Sequence, residues 1–156
     1  RETRASDSEK SQTEGSVMRF QGRVFKDGKH WLAEIPILDT MTQGYTRKEA
    51  LVMVEDLVET LANRSGFSVD VHPGHKGEFE VSSTDTRTMT SLLLRRQRER
   101  SGLSLAEVAQ RLGAKSRNTY ARYERGTSAP TLEKLNELLA AVSPDRDFVL
   151  HQSVVA

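Results

Sequence analysis

The chain has 156 residues and no cysteine, which excludes disulfide bonds and thiolate metal sites. Aromatic residues make up only 6% of it, and no apolar run approaches the roughly 18 residues that a membrane span needs. We also expect no secretory signal, because no basic segment leads into an apolar stretch. These absences favour a soluble protein of the reducing cytoplasm.

The charge of the chain is unevenly distributed. Residues 88–143 contain ten Lys or Arg and five Asp or Glu, whereas residues 18–87 contain nine and eleven. A basic C-terminal half beside a mildly acidic N-terminal half predicts two units with different partners. Nucleic acid is the expected partner of the basic half.

Composition divides the chain into four segments. Residues 1–17 are polar and lack periodicity, which predicts a disordered tail or an added leader before Met18. Residues 18–83 form the first predicted domain, and residues 84–90 form a polar linker. Residues 91–156 form the second predicted domain.

The first domain has the pattern of strands around one helix. RFQGRVF and HWLAEIPI flank an Asp-Gly turn, and MTQGY adds a third strand. Thr46 opens a capping box, followed by apolar residues at helical spacing. Residues 79–81 predict a fourth strand. Apolar and polar residues alternate over residues 67–71, which leaves open whether a fifth strand forms there. The pattern predicts an α+β fold with a β-β-β-α-β order.

The second domain is helical in pattern. Helices are predicted over residues 89–100, 104–112, 116–125 and 131–142, with glycines and a proline between them. Residues 147–153 alternate like a strand, which would pair with the first domain or across a dimer.

The stretch SLAEVAQRLGAKSRNTYARYERG contains two short helical patterns split by a glycine. Val108, Ala109 and Leu112 predict the inner face of the first helix, and Tyr120 and Tyr123 anchor the second. The outward polar residues suit the major groove, where Arg bonds guanine and Asn bonds adenine through paired contacts. The predicted DNA-binding residues are Lys115, Ser116, Arg117, Asn118, Thr119, Ala121 and Arg122.

Attraction to DNA phosphates is expected from the other basic residues of this half. These residues are Arg95, Arg96, Arg98, Arg100 and Arg111. The competing interpretation is a small helical bundle with a solvated Arg-rich face. DNA binding is favoured because two helices, a glycine turn, capping residues and a final Arg-Gly coincide.

At these residues the sequence resembles the Cro/C1-type (XRE) helix-turn-helix family over about residues 92–143. The resemblance is carried by LRRQRERSGLSLAEVAQRLG, YERG and SAPTLEKLNELL. It implies a structural pair in which Arg98 bonds Glu124 and orients the recognition helix. The turn is one residue longer than is usual in the family, so the assignment of base contacts to residues stays open by one position. Leu105 stands where the family commonly has Gln. A homodimer on an inverted repeat is expected, with contact near residues 131–153.

The first domain resembles HicB antitoxins over about residues 19–83. The matching residues are Trp31, Ala33, Glu34, Pro36, Thr42, Gly44, Thr46, Glu49, Ala50 and Leu51, and Ile37 and Asp39-Thr40-Met41 depart from the pattern. The resemblance implies a partial RNase-H-like domain that masks a small, basic, RNA-cleaving HicA-type toxin while the second domain represses the operon from its operator DNA. Candidate toxin-binding residues are Trp31, Glu34, Asp39 and Asp56.

Two other functions stay open. A one-component transcription regulator would sense a small molecule in a large apolar pocket of the first domain. A metal-dependent nuclease would need several carboxylates around ions about 4 Å apart, and the spacing of Glu34, Asp39, Asp56 and Asp70 does not suggest this. His72 and His75 lack a third ligand. We expect no enzyme, cofactor or metal site, and a bacterial cytoplasmic protein that joins the nucleoid on its operator.

Overall fold

The computed structural model describes residues 18–153, so the predictions for residues 1–17 and for the last three positions lie outside the described residues. In chain order the elements are β1 Arg19–Asp27, β2 His30–Ile35, a 3₁₀ turn Pro36–Leu38, β3 Thr40–Gly44, α1 Arg47–Ala62, β4 Asp70–Pro73, β5 Glu78–Ser82, α2 Thr86–Arg100, α3 Leu105–Arg111, α4 Arg117–Glu124 and α5 Leu132–Val142. The α+β class is confirmed, and the fifth strand that the alternation left open is present as β4.

The five strands form one antiparallel sheet in the order β3-β2-β1-β5-β4. Along β1, Phe20, Gly22 and Val24 are buried, whereas Gln21 and Arg23 on the other face are exposed. This two-residue period assigns one face of the sheet to the core. We call the opposite face, which carries Gln21 and Arg23, the open face.

Helix α1 covers the core face of the sheet. Thr46 begins it as N-cap, since the hydroxyl accepts from the Glu49 N–H at 3.0 Å. The Glu49 carboxylate accepts in turn from the Tyr45 N–H at 3.1 Å, so the predicted capping box is present. Ala50, Val54 and Val58 point from the helix into the sheet core.

Helix α2 belongs to both halves of the molecule. Its residues Met89, Leu92 and Leu93 pack in the sheet core, whereas Leu94 packs in the core of the helical half. The predicted linker over residues 84–90 is therefore wrong in part, because residues 86–90 already lie in this helix. The polar composition of this stretch suggested a linker. The side chains of Thr88, Thr90 and Ser91 are nevertheless buried in α2, and their hydroxyl groups donate hydrogen bonds within the protein.

The prediction of a strand over residues 147–153 is wrong, because this segment has no regular secondary structure. It does lie against the first half. Phe148 packs on the sheet core, and the Ser153 hydroxyl donates to Glu80 at 3.0 Å. Among the described residues, no helix is long and apolar enough to cross a membrane.

Candidate nucleic-acid interface

Helix α4 begins at a capped and fully exposed end. The Ser116 hydroxyl accepts from the Asn118 N–H at 3.2 Å, as expected for an N-cap. The Thr119 N–H donates to the Ser116 carbonyl at 3.1 Å, and the helix dipole adds partial positive charge at this end of the helix. This end of the helix can therefore receive a phosphate. The exposed side chains around it are Lys115, Ser116, Arg117, Asn118, Thr119 and Arg122.

The inner face of α4 holds the helix to the protein. Tyr120 and Tyr123 are 0% and 7% exposed, as their predicted anchor role requires. Ala121 is also buried, at 4% exposure, so its predicted place on the DNA-facing side is wrong. It follows Tyr120 directly and lies on the edge of the same inner face, where a small side chain lets α4 lie close to its neighbours.

An ion pair fixes the far end of α4. The Arg98 Nε lies 2.7 Å from the Glu124 Oε1, and the two side chains are only 15% and 8% exposed. Burial disfavours the Arg98 cation, but the hydrogen bond and charge of Glu124 outweigh this and raise the pKa of Arg98. Arg98 also donates to the Leu103 carbonyl at 2.9 Å. The pair thus joins α2, the turn before α3, and α4.

Tyr120 lies beside this pair. Its hydroxyl is buried and has no hydrogen-bond partner of normal geometry among the described residues. Burial and the neighbouring Glu124 carboxylate raise the pKa of Tyr120, so the phenol stays neutral. The ring therefore serves as an apolar anchor.

Helix α3 and the turn after it set the position of α4. Ser104 caps α3 by accepting from the Glu107 N–H at 3.1 Å, and Val108 and Ala109 are buried. Gly113 follows in the left-handed region with φ of +71°, and the Ala114 N–H donates back to the Ala109 carbonyl at 2.9 Å. Glycine suits this position because left-handed backbone carries no side-chain penalty there. Two short helices are thus joined by a tight turn, with the polar side of the second facing solvent.

Residues 94–142 match the helix-turn-helix family model. This part of the chain is a helix-turn-helix domain. The match supports DNA binding and transcription regulation, and it spans the two-helix unit, the Arg98–Glu124 pair and α5. No curated protein matches the sequence.

The four arginines in the C-terminal half of α2, which were expected to attract DNA phosphates, form hydrogen bonds within the protein. Arg95 donates to the Leu61 carbonyl. Arg96 donates to the carbonyls of Leu38 and Asp39, both at 2.7 Å. Arg98 binds Glu124, and Arg100 binds Asp145 at 2.9 Å and Ser143 at 2.8 Å. Their guanidinium groups are held by acceptors within the protein, and the expected attraction of DNA phosphates by these arginines stays a prediction. Arg111 and Lys115 stay exposed.

Arg64 is a contact residue that sequence reasoning missed. It follows α1, and its guanidinium donates to the Arg125 carbonyl at the end of α4 and to the Thr88 hydroxyl at 2.5 Å. A cation at a helix C-terminus is favourable to the helix dipole. The Asp85 carboxylate accepts from the same Thr88 hydroxyl. Nothing in the local sequence marks Arg64, because its partners are 24 and 61 residues away.

The four candidate toxin-binding residues do not form one surface. Trp31 is half-buried and packs on the sheet core, and Glu34 lies on the open face in an ion pair with Arg23. Asp39 lies just before β3, and Asp56 is exposed on α1, which covers the other face of the sheet.

No group of three or more acidic or histidine side chains that could hold a metal ion occurs within residues 18–153. The first half does have an apolar surface groove of about 430 Å³ between α1 and β4. Its lining residues are Arg47, Lys48, Leu51, Val52, Glu55, Val71 and Pro73.

Proposed function

We propose that this protein is an antitoxin of the HicB type, without enzymatic activity. It binds and masks a small, basic, RNA-cleaving toxin through its α+β half and represses its own operon through the helix-turn-helix domain. The observation that carries the DNA-binding part is the exposed polar side of α4, held by buried tyrosines and by the Arg98–Glu124 pair.

Sequence readout is assigned to Arg117 and Asn118. Both are exposed at the first turn of α4, beside the capped helix end that suits a phosphate. Arg can bond guanine and Asn can bond adenine in the major groove, and each such contact contributes roughly 1–3 kcal/mol of discrimination. Two copies on an inverted repeat would place two recognition helices in successive major grooves.

DNA binding is tested with a labelled duplex from the region upstream of the protein's own gene. Arg117→Ala or Asn118→Ala is expected to weaken specific binding by about 5- to 150-fold, which corresponds to the roughly 1–3 kcal/mol of one base contact. Both should leave the melting temperature unchanged, because neither side chain is buried.

Arg87→Ala is the matched control, because Arg87 is an exposed arginine at the first turn of α2 instead of α4. It should bind DNA like the parent chain. Unchanged affinity in both α4 variants would remove the assignment of α4 as the reading helix.

The toxin-binding part is supported by the HicB-like residues and by the arrangement of the α+β half. The open face of the sheet carries no helix within the described residues. Glu78 and Asp70 are exposed on this face, and Glu34 and Glu80 lie on it in ion pairs with Arg23 and Arg19. Acidic side chains of this kind favour association with a basic protein.

Toxin binding is tested by co-expression with the product of a neighbouring short, basic open reading frame. The two chains should co-purify, and this protein should relieve the growth arrest that the small chain causes. Residues 117 and 118 lie in the helix-turn-helix half, so the Arg117→Ala variant should still relieve the growth arrest. Absence of such a gene product, or of a complex, would refute the antitoxin assignment while leaving DNA binding intact.

The groove between α1 and β4 favours a second candidate, a transcription regulator that senses a small molecule. Its volume is within the range of small-molecule sites, and its walls are mainly apolar. Native mass spectrometry of protein purified from its host would reveal a bound molecule, and Val52→Trp would displace it. A chain that carries no added mass excludes this candidate.

A further inference from the structure

The two edges of the sheet differ in how open they are to another strand. β4 ends in Pro73, which has no N–H, and Val69 just before β4 donates its N–H to the Glu59 carboxylate at 3.2 Å. Proline is one of the devices that protect an edge strand. β4 is therefore a poor template for strand pairing.

β3 is the other edge and has none of these protections. Its sequence TMTQG contains no proline and no charge, and within residues 18–153 it pairs only with β2. Met41 is 49% exposed, and Tyr45, directly after the strand, is 72% exposed. An uncharged edge flanked by exposed apolar side chains favours pairing with another chain.

The charges at the two ends of β3 point to a second copy of the same chain as its occupant. Asp39 is exposed just before the strand, and Arg47 and Lys48 are exposed just after it. When two copies of a strand pair antiparallel, the start of each lies beside the end of the other. The acidic end of one copy would then face the basic end of the other, twice, as a two-fold interface requires.

We propose that β3 pairs antiparallel with β3 of a second copy, centred near Thr42, and joins the two sheets into one. This inference rests on the proposed function, because an operator-binding repressor needs two copies of its recognition helix. It differs from the contact near residues 131–153 that the sequence predicts. A chain that used both contacts would assemble beyond a dimer.

Sedimentation of the full chain with Met41→Lys tests the proposal, since lysine is a common protector of sheet edges. The expected result is a shift of the sedimenting mass to half the parent value. Met53→Lys is the matched control, because Met53 is 37% exposed but lies on α1, away from the edge. It should keep the parent mass. Equal masses for Met41→Lys and the parent chain would overturn the proposal.

Cysteine cross-linking gives a second measurement, and it is clean because the chain has no cysteine of its own. Single Met41→Cys, Thr42→Cys and Gln43→Cys chains are oxidised and compared with Asp70→Cys on the opposite edge. Directly opposed residues of an antiparallel pair lie within disulfide range. The covalent dimer should form best at residue 42. No dimer at any of the three β3 positions, or equal yield at residue 70, would overturn the pairing.

The failure of this inference is distinguishable from failure of the proposed function. Loss of the half-mass shift and of the cross-link, with operator binding intact, refutes the β3 contact alone. A cross-linked dimer that does not bind the upstream duplex refutes the repressor function and supports the contact.

Discussion

The C-terminal half of α2 carries four arginines and α4 carries two, and the surroundings of these two sets differ. The α2 set donates to carbonyls and carboxylates of the protein itself. In α4, Arg117 and Arg122 remain exposed. A count of positive charge treats both sets alike, but the α2 arginines are partly buried and only the α4 arginines are exposed. The difference shows that the position of an arginine relative to buried acceptors decides its role.

The largest effect is expected at the buried pair. Arg98→Ala leaves Glu124 without its partner in a site where both side chains are mostly buried. Removal of one partner of such a pair costs roughly 3–5 kcal/mol of unfolding free energy. Urea unfolding measures this, and duplex binding should fall with it because α4 loses its orientation.

The double variant Arg98→Met with Glu124→Leu is the control for Arg98→Ala. Apolar residues of similar volume often replace a buried ion pair without loss. Stability should therefore return towards the parent value. If Arg98→Ala alone left the stability unchanged, Arg98 would have no structural role, and the contrast between the α2 and α4 arginines would fail at this residue.

Arg96→Ala is expected to have the next largest effect. Its guanidinium donates to the Leu38 and Asp39 carbonyls and so ties α2 to the 3₁₀ turn of the first half. Loss of hydrogen bonds from a charged group costs roughly 1.5–3 kcal/mol. Thermal unfolding should show this loss, while duplex affinity of the folded chain stays at the parent value. A loss of affinity without a loss of stability would return Arg96 to the DNA-binding set.

Arg122→Ala sharpens the comparison, because Arg122 lies on α4 but also contacts its own helix. Its guanidinium lies 4.9 Å from the centre of the Tyr123 ring and donates to the Thr119 carbonyl at 3.1 Å. An exposed contact of this kind stabilises by about 0.5–1 kcal/mol. A small stability loss together with weaker duplex binding is expected. Arg122→Lys keeps the charge and should restore part of the binding only.

The smallest expected effect concerns pH. Burial raises the pKa of Asp85, but the hydrogen bonds of Thr88 and the charges of Arg64 and Arg87 outweigh it and lower the pKa overall. A carboxyl with a lowered folded pKa stabilises the fold above its unfolded pKa, near pH 4, and this stability is lost as pH falls through the folded pKa. Asp85→Asn should therefore reduce the decrease in unfolding free energy that accompanies a fall in pH below about pH 4. An unchanged acid profile would contradict this.

The sequence allowed much of the fold to be predicted, because local patterns specify it. The capping box at Thr46, the strand alternation and the four C-terminal helices follow from residues that are close in the sequence. What could not be predicted depends on partners far along the chain. Arg64, Arg96 and Gln97 bond groups 24 to 61 residues away, and no local pattern encodes such contacts.

The candidate site follows the same division. Exposure of Arg117 and Asn118 could be predicted from the helical period relative to the tyrosines. Ala121 could not be placed correctly, because an alanine fits either side of a helix. Trp31, Glu34, Asp39 and Asp56 were chosen from a family pattern that contains no information on which of them share a surface.

Helix α2 has a consequence for how this molecule is dismantled. Met89, Leu92 and Leu93 complete one core, and Leu94 completes the other. Unfolding of either half would therefore remove packing contacts from the core of the other half. A protease or unfoldase that pulls on the sheet would therefore also unfold the helix-turn-helix domain and release bound DNA. Loss of one activity would bring loss of the other in a single event.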